Sequence, residues 1–317
     1  MKLSRDQKTF LSEQGYLIME NVLDQNTLYK IKKRIKEIIE EEGIRYGQHY
    51  TTDYIRSLQL NNKILSKIKL MFWNSVFLLV RLLIRFIRNL IPPIQIFFNF
   101  YISLPIPYPS NAILEELNNI IITCMEQHEK NVIRLCNLIN KGKEFEIFIS
   151  QTQVLEAVEL ILGSNFKLSS LNYRNPKNSS GNQDLHFDFP WLTNKGDYFS
   201  ANTLWLLDDM NENNGPTRII PYSHKNNTSP KVTMMNRKEK HPDEVFITAK
   251  AGSVIILNSR IWHSGTNNSS DEERSIIQSF FVHRAHPSQQ FQRKLITKKT
   301  RKHLNSQSKL ILDLIYD

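Results

Sequence analysis

The sequence predicts an α+β chain, with helices gathered in the N-terminal half and a mainly β C-terminal half built as a sandwich or jelly roll. Three observations lead there. Apolar residues recur at helical spacing up to about residue 162. The texture then changes to short apolar runs, and the links between those runs are rich in Asn, Gly, Pro and Ser. Links that short join neighbouring strands, so most pairs are expected to be antiparallel.

Taken in order, residues 4–20 read as a short helix and then "GYLIME", a strand after Gly15. "LDQNTLYKIKKRIKEIIEEEG" follows as a helix capped by Asp24. It carries Leu28, Ile31, Ile35, Ile38 and Ile39 at helical spacing and ends at Gly43. Helical patterns return at about 110–140 and 151–162, the second closed by Gly163. Beyond residue 166, "FKLSSLNYR", "ANTLWLLDD", "TRIIPYS", "EVFITA", "SVIILN" and "SIIQSFFVHR" read as strands. One domain over 1–317 is expected, with 1–62 and 110–165 as helical cover. Residues 166–290 form the core, and 291–317 read as a basic helix or tail.

The stretch 63–109 stands apart. Lys67, Asn74, Arg81, Arg85 and Arg88 fall on a single helical stripe, and the rest of that surface is aliphatic or aromatic. Pro92 and Pro93 break the helix, and a second apolar run covers 94–104. The uncharged run 70–80 is shorter than the roughly 20 apolar residues needed to cross a bilayer. An amphipathic hairpin lying in the membrane interface suits the pattern, its arginines toward anionic headgroups. The alternatives are a buried hairpin or a lid.

With 317 residues, 40% hydrophobic content and 10 glycines, this is the composition of an ordinary folded protein with a sizeable core. The net charge of +10 comes without zinc-finger spacing, an RNA-binding signature or a basic arm, so nucleic acid is not an expected partner. Cys124 and Cys136 both fall in the helical pattern and read as reduced thiols. The N-terminus lacks the apolar core of a signal peptide, so a cytoplasmic protein, peripheral at the membrane, is expected.

Chemistry concentrates in "DLHFDFPW", residues 184–191. On an extended strand, His186 and Asp188 project to one face as a nitrogen donor and a carboxylate. A third donor is available at His263, where the buried-strand pattern 253–258 runs into Trp262-His263. Two histidines and one carboxylate form the facial triad of non-haem Fe(II) oxygenases, which leaves positions open for substrate chemistry. Arg274, on the neighbouring strand, suits bidentate binding of a dicarboxylate cosubstrate.

These residues resemble the phytanoyl-CoA dioxygenase family of Fe(II)/2-oxoglutarate oxygenases. "FLSEQGYLIMENVLDQNTLYKI", "LHFD", "LDDMNENNGPTRIIPYSHK" and "AGSVIILNSRIWHSGTNNSSDEER" follow the family's motifs in order. The resemblance implies a double-stranded β-helix (jelly-roll) core, with His186, Asp188 and His263 as catalytic iron ligands. It also implies that Arg274 binds 2-oxoglutarate, with Asn172 as a further cosubstrate neighbour; Thr203 and Trp205 join it if their face of "ANTLWLL" looks inward, and otherwise Trp205 is core filler. The expected reaction takes up O2 and hydroxylates an aliphatic C–H of a small, lipid-like or acyl substrate, releasing succinate and CO2. Halogenating relatives replace the carboxylate with a small residue, and this chain keeps Asp188. A non-catalytic lipid-binding or scaffold protein on the same fold is the alternative. Tyr222 stands where the family has glycine, so the "PYSHK" loop is expected to differ in shape. His224, His283 and His286 read as structural.

Overall fold

A computed structural model describes residues 2–42, 131–188, 198–226, 228–286, 288–290 and 292–315. The 63–109 hairpin, Gly43 as a helix end, Cys124 and residues 110–130 of the second helical pattern lie outside the described residues.

Helix α1 (Arg5–Gln14) opens on a capping box between Ser4 and Gln7. It closes at Gly15, whose φ of 84° is the left-handed conformation that glycine adopts freely. A Cβ at Gly15 would strike the His224 ring at 2.3 Å, and His224 Nε2 lies 3.2 Å from the Ser12 carbonyl. That histidine therefore pins the PYSHK loop to the end of α1. Strand β1 (Tyr16–Met19) follows. Helix α2 (Gln25–Glu42) is capped by Asp24, whose side chain accepts the Thr27 N–H at 2.7 Å. Its stripe of Leu28, Ile31, Ile35 and Ile38 is buried. At about 1.5–3 kcal/mol per buried aliphatic side chain, that stripe docks the helix more strongly than its propensity could.

Strand β2 (Val132–Leu135) corrects the expectation of helix through residue 140, and Cys136, a buried cysteine outside any disulfide, lies just past it. Helix α3 (Thr152–Leu162) lies within a residue of the expected helix. Then come strands β3 (Phe166–Pro176), β4 (Ser200–Leu206), β5 (Thr217–Ile220), β6 (Val245–Ile247), β7 (Val254–Asn258), β8 (Trp262–Gly265) and β9 (Ile276–His283). The strands form a six-stranded sheet in the order β1-β7-β4-β9-β3-β2 and a three-stranded sheet in the order β6-β5-β8. Every pairing is antiparallel. The core is a jelly roll of mainly antiparallel strands. One face of the large sheet packs on the helices, and the other faces the small sheet across Leu204, Leu206, Ile219, Leu257 and Ile276.

A register shift in β3 between Leu168 and Ser170 marks a bulge at Ser169. Before it, Leu168 packs in the helix-side core. After it, Ser170, Asn172 and Arg174 line a cavity between the two sheets. Of the helix and the tail expected for the C-terminal segment, the described residues form helix. Short helices at Gln292–Leu295, Lys298–His303 and Ser306–Ile311 bring Leu304, Ile311, Leu312 and Leu314 into the helix-side core. Among the described residues, no helix is long and apolar enough to cross a membrane.

Candidate metal centre

The two halves of the proposed ligand set meet through backbone pairing. His186 and His263 form an antiparallel bridge, with His186 N–H on the His263 carbonyl at 3.0 Å and the reverse bond at 2.8 Å. This is a correction to the sequence reading, because 184–188 is held by that bridge and not by a continuous strand. The Asp188 N–H donates to the Ser259 carbonyl at 2.9 Å and fixes the carboxylate end. One donor atom from each of His186, Asp188 and His263 lies within 4.8 Å of the others. Asp188 Oδ1 is 3.7 Å from His186 Nε2 and 3.5 Å from His263 Nε2. That spacing is what three ligands around one ion require.

Both rings are oriented by their own chain. His186 Nδ1 lies 2.7 Å from the Asp184 carbonyl, and His263 Nδ1 lies 2.9 Å from the Ile261 carbonyl. A carbonyl can only accept, so Nδ1 carries the proton and Nε2 offers its lone pair toward Asp188. On the other side of the carboxylate, Asn202 Nδ2 donates to Asp188 Oδ2 at 3.1 Å.

The electrostatics match a cation site. Burial pushes the Asp188 carboxyl up, but the His263 and His186 rings and the Asn202 amide outweigh it and hold the group at about 2. Burial and the neighbouring His263 lower the His186 imidazole. At His263, burial acts downward, yet the Asp188 carboxylate prevails and raises it. Asp188 and His263 thus share a proton-for-cation position that a metal ion would take over.

The triad opens into a cavity of about 190 Å³. Side chains two apart on a strand share a face, and the lining follows that rule: Ser170, Asn172 and Arg174 from β3, Asn202 and Leu204 from β4, Ile276, Gln278 and Phe280 from β9. Arg274, two residues before β9 and only 1% exposed, also lines it. Asn172 accepts from Gln290 Nε2 at 2.8 Å at the cavity wall.

Thr203 and Trp205 do not line the cavity, which corrects their expected place beside the cosubstrate. Both lie on the opposite face of β4. The Trp205 indole N–H bonds Thr203 Oγ1 at 3.0 Å and Ser279 Oγ at 3.2 Å, and its ring meets Phe148 edge-on at 5.2 Å. Asn202, next to them, is the residue the sequence reading missed. Its signal was the alternation of the strand, once one knows which face looks inward. Tyr222 departs from expectation in a different way. Its φ of 66° keeps the left-handed turn that glycine would occupy, tied by its N–H to the Gln14 carbonyl at 3.0 Å and its hydroxyl to the Gln14 amide.

A family model described as Phytanoyl-CoA dioxygenase (PhyH) matches residues 11–276. The chain belongs to this family. Among curated relatives, "Dioxygenase af480" of Aspergillus fumigatus is 29% identical over 135 residues, 40% of this chain and 41% of that protein. "Uncharacterized protein Rv1501" of Mycobacterium tuberculosis is 29% identical over 98 residues, 31% of this chain and 34% of that protein. The chain therefore matches well under half the length of either relative.

Two solved folds are similar. HygX from Streptomyces hygroscopicus, with nickel and 2-oxoglutarate bound, aligns at a TM-score of 0.52 and 12% identity, over 91% of this chain and 90% of that one. HygX with iron bound aligns at 0.54 and 11% identity. The 2-oxoglutarate-dependent epimerase SnoN from nogalamycin biosynthesis aligns at 0.51 and 12% identity, over 87% of this chain and 82% of that one. At these identities the likeness shows a common fold, and in this chain the His186–Asp188–His263 cluster fits an iron site.

Proposed function

We propose that this PhyH-family chain is an Fe(II)- and 2-oxoglutarate-dependent oxygenase that hydroxylates an aliphatic C–H of a small molecule. The convergence of His186, Asp188 and His263 on one point beside a buried arginine carries this reading. Bound iron with 2-oxoglutarate and O2 would supply the oxidising chemistry. The chain's own part is to hold and orient. His186 and His263 present neutral Nε2 atoms, Asp188 supplies the anionic ligand, and Asn202 fixes that carboxylate. Arg274 offers its guanidinium to a cosubstrate carboxylate, and Asn172 stands on the same wall. Packing of the two sheets buries His263 and leaves His186 and Asp188 partly exposed at the cavity. The kept carboxylate at Asp188 favours hydroxylation over halogenation. Described lining residues are mostly polar, so the cavity itself favours a polar substrate over the lipid-like one suggested by 63–109.

The test is anaerobic titration with Fe(II) and 2-oxoglutarate, followed by oxygen exposure with a small-molecule extract. Bound metal, succinate release and a product heavier by one oxygen support the reading, and each should vanish in His186→Ala. A wild-type protein that binds no iron refutes it and leaves the non-catalytic alternative. Interfacial membrane binding rests on the pattern of 63–109. Deleting that segment should abolish flotation with anionic vesicles, and retained flotation overturns the assignment.

A further inference from the structure

One buried guanidinium ties together the two segments that carry the histidines of the triad. Arg218 lies on β5 next to Ile219, the cross-strand partner of His263, and is itself paired with Ser264 of β8. Its Nε donates to Ser264 Oγ at 2.7 Å, one residue from His263. From the same fork, Nη2 donates to the Arg237 carbonyl and Nη1 to the Glu239 carbonyl at 2.7 Å. Glu244 supplies the countercharge, its Oε2 3.2 Å from Nη1, and the two side chains are only 4% and 3% exposed.

Arg237 in turn holds the other segment. Its carbonyl accepts the Leu185 N–H at 2.9 Å, and its Nη2 pairs with Asp184 Oδ2 at 2.6 Å. The Asp184 carbonyl is the group that orients the His186 ring. His263 stands in a strand paired with β5, whereas residues 184–188 rest on one bridge to β8, the Asp188 bond to Ser259 and this contact with Arg237. Of the two imidazoles, His186 is therefore the one whose place depends most on outside support. Residues 234–244 run as turns and extended chain, so side-chain donors must fix the spacing of their carbonyls. Burying an Arg–Glu pair seldom stabilises a protein more than aliphatic residues of the same volume would. What the planar fork adds is geometry, since it fixes two carbonyls and a hydroxyl relative to one another.

We propose that Arg218 is a positioning residue for the metal centre. Through the Arg237 carbonyl it holds the Asp184–His186 segment against the strand of His263, and so sets the separation of the two imidazoles. This inference rests on the reading of the triad as an iron site.

The experiment uses the full chain, with Mn(II) calorimetry for affinity, urea unfolding for stability and proton NMR of the Co(II) form for the ligand rings. Each ligating histidine gives one shifted Nδ1–H signal in that spectrum, so wild type should show two. Arg218→Lys keeps the charge opposite Glu244 but cannot span Ser264, Arg237 and Glu239, so Mn(II) affinity should fall about tenfold or more. The His186 signal should shift or vanish while the His263 signal stays. Ile31→Ala, which opens a gap in the helix-side core, is the control and should lose stability while keeping affinity and both signals. Should Arg218→Lys fail to fold, Arg218→Gln/Glu244→Gln removes both buried charges and carries the same expectation. Two results overturn the proposal: a folded Arg218 variant that binds Mn(II) within about twofold of wild type, or an affinity loss that Ile31→Ala reproduces in step with its stability. Should wild type bind neither ion, the iron-site reading falls, and amide hydrogen exchange of the metal-free chain decides for Arg218. Exchange at the Leu185 N–H should then be about tenfold or more faster in the Arg218 variant, and an unchanged rate overturns the proposal.

Discussion

Replacing Asn202 with alanine should loosen the metal without unfolding the chain. Its amide donates to Asp188 Oδ2 at 3.1 Å, leaving Oδ1 as the oxygen that faces His186 and His263. A hydrogen bond to a charged group contributes about 1.5–3 kcal/mol, equivalent to roughly 10–150-fold in an equilibrium constant. Part of that loss also falls on the metal-free protein and cancels, so an affinity loss of about 10–100-fold is expected, the range typical of partners that orient metal ligands. Losing the donor also raises the Asp188 carboxyl from its low value, in the direction that lets a proton compete with the ion. The assay is Mn(II) titration by calorimetry, with circular dichroism to confirm the fold. Thr203→Val serves as the control, because that side chain faces the helices and should leave metal affinity alone. A folded Asn202→Ala protein that binds Mn(II) within about twofold of wild type refutes this account of how Asp188 is positioned.

Trp205→Phe tests the revised placement of the indole. It removes hydrogen bonds to Thr203 and Ser279 and part of a fully buried ring, so a loss of about 2–3 kcal/mol in urea unfolding is expected. Affinity for 2-oxoglutarate should not change, and a weakened cosubstrate with intact stability would return Trp205 to the site. Metal affinity should fall as pH drops, because an ion must displace the proton that Asp188 holds on His263 above the ordinary imidazole range. Calorimetry at pH 6.5 in two buffers of different ionisation enthalpy should report proton release on binding, and none would contradict the pairing. In the metal-free chain, Asp188 titrates at about 2 against an ordinary 3.8. Its contribution to stability is therefore present above 3.8 and lost as pH falls through about 2.

Local pattern alone carried much of this protein. The change from helical to strand texture near residue 166, the cap at Asp24 and the stripe of α2 are properties of neighbouring residues, and the folded chain keeps them. The triad was legible for a related reason. His186 and Asp188 are two apart, and His263 follows closely on the apolar run 253–258, which forms a buried strand. What the sequence could not decide was which face of each strand looks inward. That choice turns on a partner distant in the chain. Asn202 reaches Asp188 and Thr203 does not because the small sheet covers one side of β4 and Phe148 the other. The bulge at Ser169 reverses the facing of β3 partway along, and β2 became a strand by pairing with β3 despite its helix-like pattern. Arg134 and Arg174, 40 residues apart in sequence, meet only through that register. Composition and periodicity settle what a segment can form, whereas the side a residue presents is fixed by long-range pairing that no local window contains.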